Sequence, residues 1–506
     1  MMKRFILALD EGTTSARAIL FDRNANIISM SQHEFPQIYP KPGWVEQDPM
    51  EIYANQYAAM TECIAKSGVS VDEIAAVGIT NQRETVIAWD RRDGKPICNA
   101  IVWQCRRTAD MCKTLEKCGY AEYISEVTGL RIDPYFSGTK IKWILENVEG
   151  AKELAAHGDL LIGTVDTWII WKLTEGRIFI TDFTNASRTM LCNIHTGQWD
   201  EKMLEILSIP RSVLPEIHSS SEIYGTFQCM GAHLPIAGIA GDQQAALFGQ
   251  CCFKSGEAKN TYGTGCFLLA HTGNDAIKSK NGLLTTIAAT EKGRDLEYAI
   301  EGSVFVGGAI VRWLRDQLGV IKSSADSEKV ALKVDDNGGV YLVPAFSGLG
   351  APFWDMNATG IIVGLTAGSN KYHIVRAALE SIALQSQDVI QAMNDDISEF
   401  TGMDDKSGIN SLRVDGGASS NNLLMQMQSD FSNIQVIRPS SFEATALGAA
   451  FLAGLAVGFY KSREELLSLS LDNGTVFTTQ MDEIKRNDKL SGWRRAVNAC
   501  KAYAEE

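Results

Sequence analysis

Two stretches of the chain about 250 residues apart share one pattern: an apolar run, a turn of Gly and Thr, and a second apolar run. The first runs from Phe5 to Leu9, through the polar turn Asp10 to Arg17, into Ala18 to Asp22. The second runs from Ala258 to Tyr262, through Gly263-Thr264-Gly265, into Cys266 to Ala270. Each reads as a β-hairpin with hydroxyls at its tip. A matching hairpin at the head of each half points to a duplicated unit, with one domain over 1–250 and a second over 251–506. The repeat is weak at residue level and chance competes with it, but the length of 506 residues also calls for two or more domains, because single cores stop growing near ~250–300 residues.

The segments between the hairpins alternate strands and helices. Leu234 to Gly241 is a strand-like run, Asp242-Gln243-Gln244 opens a helical pattern through Phe248, and Gly249 to Gly256 has the composition of a hinge. Tyr372 to Ile397 is the longest amphipathic pattern, with Ile374, Ala378 and Ile382 stacked at every fourth position. Leu412 to Val414 enters Asp415-Gly416-Gly417, and a helix is expected from about Asn421. Ala444 to Phe459 is apolar but shorter than the ~20 residues that span a bilayer, so it reads as a buried helix. Strands leading into Gly-rich turns and then helices, in both halves, give an α/β fold class.

Charge excludes some partners. The balance of 47 Lys plus Arg against 61 Asp plus Glu leaves a net charge of −14, which repels nucleic acid and anionic membranes. No stable membrane insertion is expected, and any phosphate must be held by local geometry. The apolar run at the start reads as the first strand rather than a signal peptide. Eleven cysteines, an odd number without a CxxC pair, read as reduced thiols of a cytoplasmic protein. The spacing of Cys105, Cys112 and Cys118 matches no usual zinc pattern.

Asp10-Glu11-Gly12-Thr13-Thr14-Ser15-Ala16-Arg17 places a carboxylate at a strand end, then a Gly, three hydroxyls and a cation. Successive N–H groups in such a turn form an anion-binding concavity, and Asp10 is the carboxylate placed to face Mg²⁺. A plain polar hairpin is the competing reading. No GxxxxGK[ST] run and no HRD or DFG set occurs, which excludes P-loop and protein-kinase cradles. Arg83 and Glu84 follow the apolar run Ile74 to Ile79, at a strand end where ligand sites of α/β folds lie; a surface ion pair is the alternative. Asp242, after Gly241 at a helix start, suits an N-cap as well as a general base. Trp103 and Phe267 on their own read as core.

Taken together, Asp10 to Arg17, Tyr262 to Gly265 and Asp415-Gly416-Gly417-Ala418 resemble the two phosphate loops and the adenosine loop of the actin and hexokinase superfamily. Tyr135 to Trp143 and Gly360 to Glu380 resemble the two signatures of the FGGY carbohydrate kinases. Asn81 to Thr85, Gly241 to Gln244 and Pro344 to Asp355 resemble the branch of that family that phosphorylates glycerol. The resemblance runs from Phe5 to about Trp493. It implies two actin-like, ribonuclease H-like domains around a central cleft, with ATP, Mg²⁺ and glycerol as ligands, in a homo-oligomer (dimer or tetramer). It further implies Asp242 as catalytic base and Arg83, Glu84, Tyr135, Asp242 and Gln243 on the polyol, with Trp103 and Phe267 as its apolar wall. Thr13, Thr14, Ser15 and Arg17 are implied at the nucleotide phosphates, Thr264, Gly308 and Arg312 as further nucleotide contacts, Gly417 and Asn421 at adenosine, and Asp10 at the metal. Arg312 stands where bacterial members of the branch have Gln.

Two other readings remain at this point. One is a kinase for another polyol or sugar, such as xylulose or gluconate; the other is a non-catalytic actin-like nucleotide binder, which would need no Arg83, Glu84 or Asp242. Some members also carry, before the catalytic strand, a Gly-rich loop with Lys and Arg that resembles a nest for fructose 1,6-bisphosphate. Here Gly225 to Pro235 has neither, and no Lys or Arg occurs between Ser212 and Phe253.

Overall fold

The computed structural model describes residues 3–402, 408–439, 443–470 and 474–504. Two mixed sheets organise it. The first contains β1 (Phe5–Glu11), β2 (Ser15–Asp22), β3 (Ile27–Glu34), β4 (Ile74–Asn81), β5 (Ser221–Cys229) and β6 (Ala232–Gly241), in the order β5-β6-β4-β1-β2-β3. The second contains β7 (Glu257–Tyr262), β8 (Cys266–Gly273), β9 (Leu284–Ile287), β10 (Tyr298–Val304), β11 (Ser411–Asp415), β12 (Gln435–Arg438) and β13 (Thr475–Phe477), in the order β9-β10-β8-β7-β11-β12-β13.

The sheets repeat one plan. In the first, β1, β2 and β3 form an antiparallel meander, and β4 and then β6 extend it in parallel from β1. In the second, β7, β8 and β10 form the meander, and β11 and then β12 extend it in parallel from β7. The fold is therefore α/β with a duplicated actin-like core. Strands β1 and β4 are buried along their whole length, and their nearly unbroken apolar sequence reflects cover on both faces. Phe5, Leu7 and Leu9 share a core cluster with Ile52, Ala59 and Met60 of α1 (Pro49–Ser67). Ile6 and Ala8 share another with Ala446, Ala450 and Phe451.

The first turn is tighter than its composition implies. Pairing continues through Asp10↔Arg17 and Glu11↔Ala16, so Asp10, Ser15 and Arg17 lie in the strands and only Gly12, Thr13 and Thr14 form the tip. The remaining helices used below are α2 (Asp242–Gly249), α3 (Ala309–Asp316), the 31-residue α4 (Lys371–Thr401), α5 (Asn422–Ser432) and α6 (Ala444–Ala456).

All strands of the first sheet precede residue 250 and all of the second follow it, yet α6 crosses back to pack on β1, β4, β6 and α2. It lies directly on glycine: a Cβ on Gly78 would stand 2.0 Å from the Ala449 carbonyl oxygen, and one on Gly448 1.8 Å from that of Ala245. Gly249, expected to open a hinge, is instead the last residue of α2, where a Cβ would meet the Ala444 oxygen at 2.0 Å. Its small size serves helix packing. Strands β5 and β6 join through Met230 and Gly231, both at positive φ (48° and 89°), with Cys229 paired to Ala232 and Gln228 to His233. That is a two-residue hairpin turn, not an open loop. Among the described residues no helix is long and apolar enough to cross a membrane.

Candidate functional site

Register brings the first unit's polar residues together. Glu11 pairs with Asn81, and Asn81 with Gly241, so β1, β4 and β6 end side by side. The chain leaves them as the Gly12–Thr14 turn, the Gln82–Thr85 segment and α2. In the second unit Thr261 pairs with both Asp415 and Phe267, which sets the Gly263–Gly265 turn beside the Gly416–Gly417 segment.

Arg83 and Glu84 are not a surface pair; both are buried, and each reaches a partner distant in sequence. Arg83 makes a two-pronged contact with Glu301 on β10, Nη1 to Oε2 at 2.6 Å and Nη2 to Oε1 at 2.7 Å. Arg188 donates through Nε to Glu84 Oε1 at 2.7 Å and through Nη2 to Glu301 Oε1 at 3.2 Å. Arg83 Nη1 also donates to Gln244 Oε1 at 3.1 Å. Burial would raise the Glu301 pKa, but Arg188 and Arg83 overcome it and hold the carboxyl at about 2. Glu84 adopts φ +61°, a left-handed conformation costly for a residue with a Cβ and typical of ligand sites.

Asp242 is the first residue of α2, whose N-cap position is held by Gly241, so the N-cap reading of its side chain fails. Its Oδ1 accepts the Gln243 N–H at 2.8 Å and lies 3.4 Å from Arg83 Nε; Oδ2 accepts from Gln243 Nε2 at 3.1 Å. The side chain keeps 31% of its surface open, yet protein walls around it withhold enough water to raise its pKa to about 6. Burial dominates that rise, Glu84 adds to it, and Arg83 and Lys259 oppose it.

An aromatic corner spans both units. Trp103 meets Tyr135 edge-on at 5.7 Å and Phe267, on β8, at 6.5 Å. All three rings are half-buried, which departs from a pure core role. Burial pushes the Tyr135 phenol upward, so it remains a neutral donor. Trp103 Nε1 donates to Thr13 Oγ1 at 3.0 Å, tying this corner to the first turn.

A cavity of about 460 Å³ lies in the second unit, with Thr264, Gly308, Arg312, Gly417 and Asn421 in its lining. The Gly308 N–H donates to the Gly263 carbonyl at 2.8 Å, and a Cβ on Gly308 would crowd that oxygen at 2.7 Å. Asn421 caps α5 by accepting the Leu424 N–H at 2.9 Å. Arg312, on α3, donates from Nη2 to Thr264 Oγ1 at 3.0 Å, placing a guanidinium at the cavity wall. On the first hairpin the Thr14 carbonyl accepts the Phe35 N–H at 3.1 Å and the Ser15 carbonyl accepts the Gly12 N–H at 3.0 Å. Arg17 bridges Asp10 Oδ2 (2.5 Å) and Glu443 Oε2 (2.9 Å).

Among the described residues no group of three or more His, Cys, Asp or Glu side chains could hold a metal ion. One carboxylate, Asp10, beside a turn of hydroxyls is the donor set that suits Mg²⁺, which takes few protein ligands and completes its shell with phosphate oxygens and water.

The structure thus gathers Arg83, Glu84, Asp242 and Gln243 at one point, joins Trp103, Tyr135 and Phe267 into one corner tied to Thr13, keeps Asp10, Thr14, Ser15 and Arg17 on the first hairpin, and lines one cavity with Thr264, Gly308, Arg312, Gly417 and Asn421. It adds three that sequence reasoning missed: Arg188, Glu301 and Lys259. The one signal available was a charge inside an apolar strand, Glu301 in Tyr298–Val304 and Lys259 in Glu257–Tyr262.

The chain matches the FGGY family of carbohydrate kinases, N-terminal domain, over residues 5–249 and the C-terminal domain of that family over residues 258–457. It is 58% identical to a glycerol kinase of Haemophilus influenzae (strain PittGG), covering 100% of this chain and 99% of that protein. It is 59% identical to a glycerol kinase of Clostridium perfringens (strain 13 / Type A), covering 100% of both. The crystal structure of Plasmodium falciparum glycerol kinase with ADP superposes with a TM-score of 0.91 at 39% identity, over 98% of each chain. With both halves matched and relatives aligned end to end, this chain belongs to the FGGY family of carbohydrate kinases.

Proposed function

We propose that this chain transfers the γ-phosphoryl group of ATP to glycerol, releasing ADP and sn-glycerol 3-phosphate. The observation that carries the reading is the placement of Asp242, a carboxyl raised to about 6 with 31% of its side chain open, beside the buried Arg83–Glu84 pair at the start of α2. The polyol hydroxyls are read by Arg83, Glu84, Tyr135 and Gln243, and its carbon edge lies against Trp103 and Phe267. The terminal hydroxyl oxygen attacks the γ-phosphorus as the bond to the ADP oxygen breaks, and Asp242 accepts the hydroxyl proton. Thr13, Thr14, Ser15, Arg17, Thr264, Gly308 and Arg312 hold the phosphates, and Gly417 and Asn421 hold the adenosine. Asp10 would hold Mg²⁺, whose chemistry when bound is to neutralise charge on the transferring phosphates. The same reading carries a homo-oligomer, dimer or tetramer, and a cytoplasmic setting; the odd cysteine count without a CxxC pair supports the latter.

The test is a coupled ADP-release assay across glycerol, dihydroxyacetone, xylulose, ribulose, gluconate and 1,2-propanediol. Glycerol should be used best, and propanediol poorly, because a site built to bond a hydroxyl rejects the analogue that lacks it. A ketose or gluconate outrunning glycerol would overturn the acceptor, and no turnover with any of them would leave a non-catalytic nucleotide binder.

The β5–β6 hairpin yields a regulatory expectation. Its tip is a two-residue turn, Cys229 and Ala232 pair directly behind it, and no Lys or Arg occurs between Ser212 and Phe253, where His233 is the loop's one titratable cation candidate. A sugar bisphosphate needs cationic partners or a free nest of N–H groups, and the net charge of −14 opposes its approach. Initial rates at saturating glycerol and ATP, with added free Mg²⁺, should be unchanged by fructose 1,6-bisphosphate. Inhibition at micromolar bisphosphate would mean that another surface binds it.

A further inference from the structure

Lys259 lies in the middle of β7, fully buried, with its ammonium directed at the start of α2. Its Nζ donates to Gln243 Oε1, to Thr261 Oγ1 at 3.0 Å and to the Phe267 carbonyl at 3.2 Å. An ammonium has three donors and no acceptor, so Gln243 must turn its amide oxygen toward Lys259. That leaves the Gln243 Nε2 facing Asp242 Oδ2 at 3.1 Å, while the Gln243 N–H takes Oδ1 at 2.8 Å. Flipping the amide would set its NH₂ against the ammonium and its oxygen against the carboxylate. Oδ2 of Asp242 is therefore oriented by a side-chain amide whose own orientation is set from the other unit, while Oδ1 is held by the Gln243 backbone.

We propose that Lys259 is a positioning residue for the phosphoryl transfer: its ammonium fixes the sense of the Gln243 amide, and through it the orientation of Asp242 Oδ2. The inference rests on the reading of Asp242 as proton acceptor. The charged groups around Lys259 are Asp242 on α2, Asp415 on β11, Glu301 on β10 and Arg83 beyond β4. The three carboxylates favour the ammonium and Arg83 opposes it, but burial prevails and brings Lys259 down to about 8. Around Asp242, Arg83 and Lys259 lower the pKa and Glu84 raises it. Loss of the Lys259 charge thus removes one of two cations that keep Asp242 ionised, so the acid limb of activity moves to higher pH.

A lysine that only fills and stabilises the interior would cost stability without moving the pH profile. The experiment is kcat/KM for glycerol against pH for the full chain and for Lys259→Met, Lys259→Arg, Gln243→Met and the Lys259→Met/Gln243→Met double variant. Lys259→Met should lose ~10–10²-fold in kcat, the scale of a small misplacement of a reacting group. Its acid limb should move up by about one unit, with KM for ATP unchanged. Lys259→Arg, which keeps the cation, should return the limb toward the parent position. Gln243→Met should move the limb the same way, and the double variant should lose no more than the worse single one, because both act through one chain of bonds. An unmoved acid limb in Lys259→Met, or losses that multiply in the double variant, would overturn the proposal. If Lys259→Met does not fold, Gln243→Met decides alone, and an unmoved limb there overturns it. Near-normal turnover in Asp242→Asn would instead sink the reading of Asp242, whatever Lys259 does.

Discussion

Replacing Asp242 by Asn is expected to lower kcat by ~10²–10⁴ and to leave KM for ATP nearly unchanged, the usual range for losing a positioned proton acceptor. Asn preserves the shape and can still accept the Gln243 N–H that Oδ1 accepts now, so local structure should hold. What is lost is basicity. The raised pKa also sets the shape of the acid limb. Burial brings the Asp242 carboxyl to about 6, so below that pH the free enzyme carries it protonated and unable to take the glycerol proton. The ratio kcat/KM should therefore fall as pH drops through about 6, and in Asp242→Asn this limb should vanish along with most of the rate. Steady-state kinetics from pH 5 to 8 check both points. A variant with close to parental turnover would remove Asp242 from the chemistry.

The second large effect is expected at Glu301, which the sequence did not mark. Its carboxylate serves Arg83 twice and Arg188 once, and all three side chains are buried. Glu301→Ala leaves two guanidinium groups without their shared counter-charge, and breaking one side of a buried pair typically costs ~3–5 kcal/mol. Arg188 Nη1 already lacks a hydrogen-bond partner in the interior, so the network has no spare acceptor to absorb the loss. Because Arg83 stands at the polyol site, KM for glycerol should rise as well, while KM for ATP changes less. The pH dependence follows from the depressed pKa. Glu301 sits at about 2 in the fold against ~4.3 for an unperturbed glutamate, so its stabilisation is fully present above ~4.3 and lost as pH falls through about 2. Glu301→Ala should therefore lose most against the parent near neutrality and less in strong acid. Urea unfolding at pH 7 and pH 3 measures this, and a variant within ~1 kcal/mol of the parent at pH 7 would show that the pair carries little.

The contrast between Asp242 and Glu301 shows what was legible in the sequence. Arg83, Glu84 and Asp242 each follow an apolar run at a strand end, a local pattern that left an ion pair and an N-cap open, and the family resemblance supplied their roles. The matched hairpins foreshadowed the repeated sheet plan by a local pattern too, since β1–β2 and β7–β8 are contiguous. Glu301 and Arg188 were missed because what defines them is a partner 218 and 104 residues away, and no short-range pattern carries that. Gly249, where the hinge was expected to begin, closes α2 for a related reason. Composition says that a glycine is present, but only the approach of the Ala444 carbonyl says which of its properties is used. The turn at Gly12–Thr14 was drawn too wide because hydroxyl-rich residues were read as loop, whereas Ser15 and Arg17 alternate within a paired strand.

The return of α6 to the first sheet bears on how the chain is made. The last strand of that sheet ends at Gly241, but the helix that covers Ile6, Ala8, Ile19 and Phe21 spans Ala444–Ala456. At ~5–20 residues per second, a ribosome needs about 10–40 s to deliver it. For that interval a nascent first unit, complete in strands, carries an uncovered apolar face. Full burial of that face therefore waits for a helix encoded near the other end of the message.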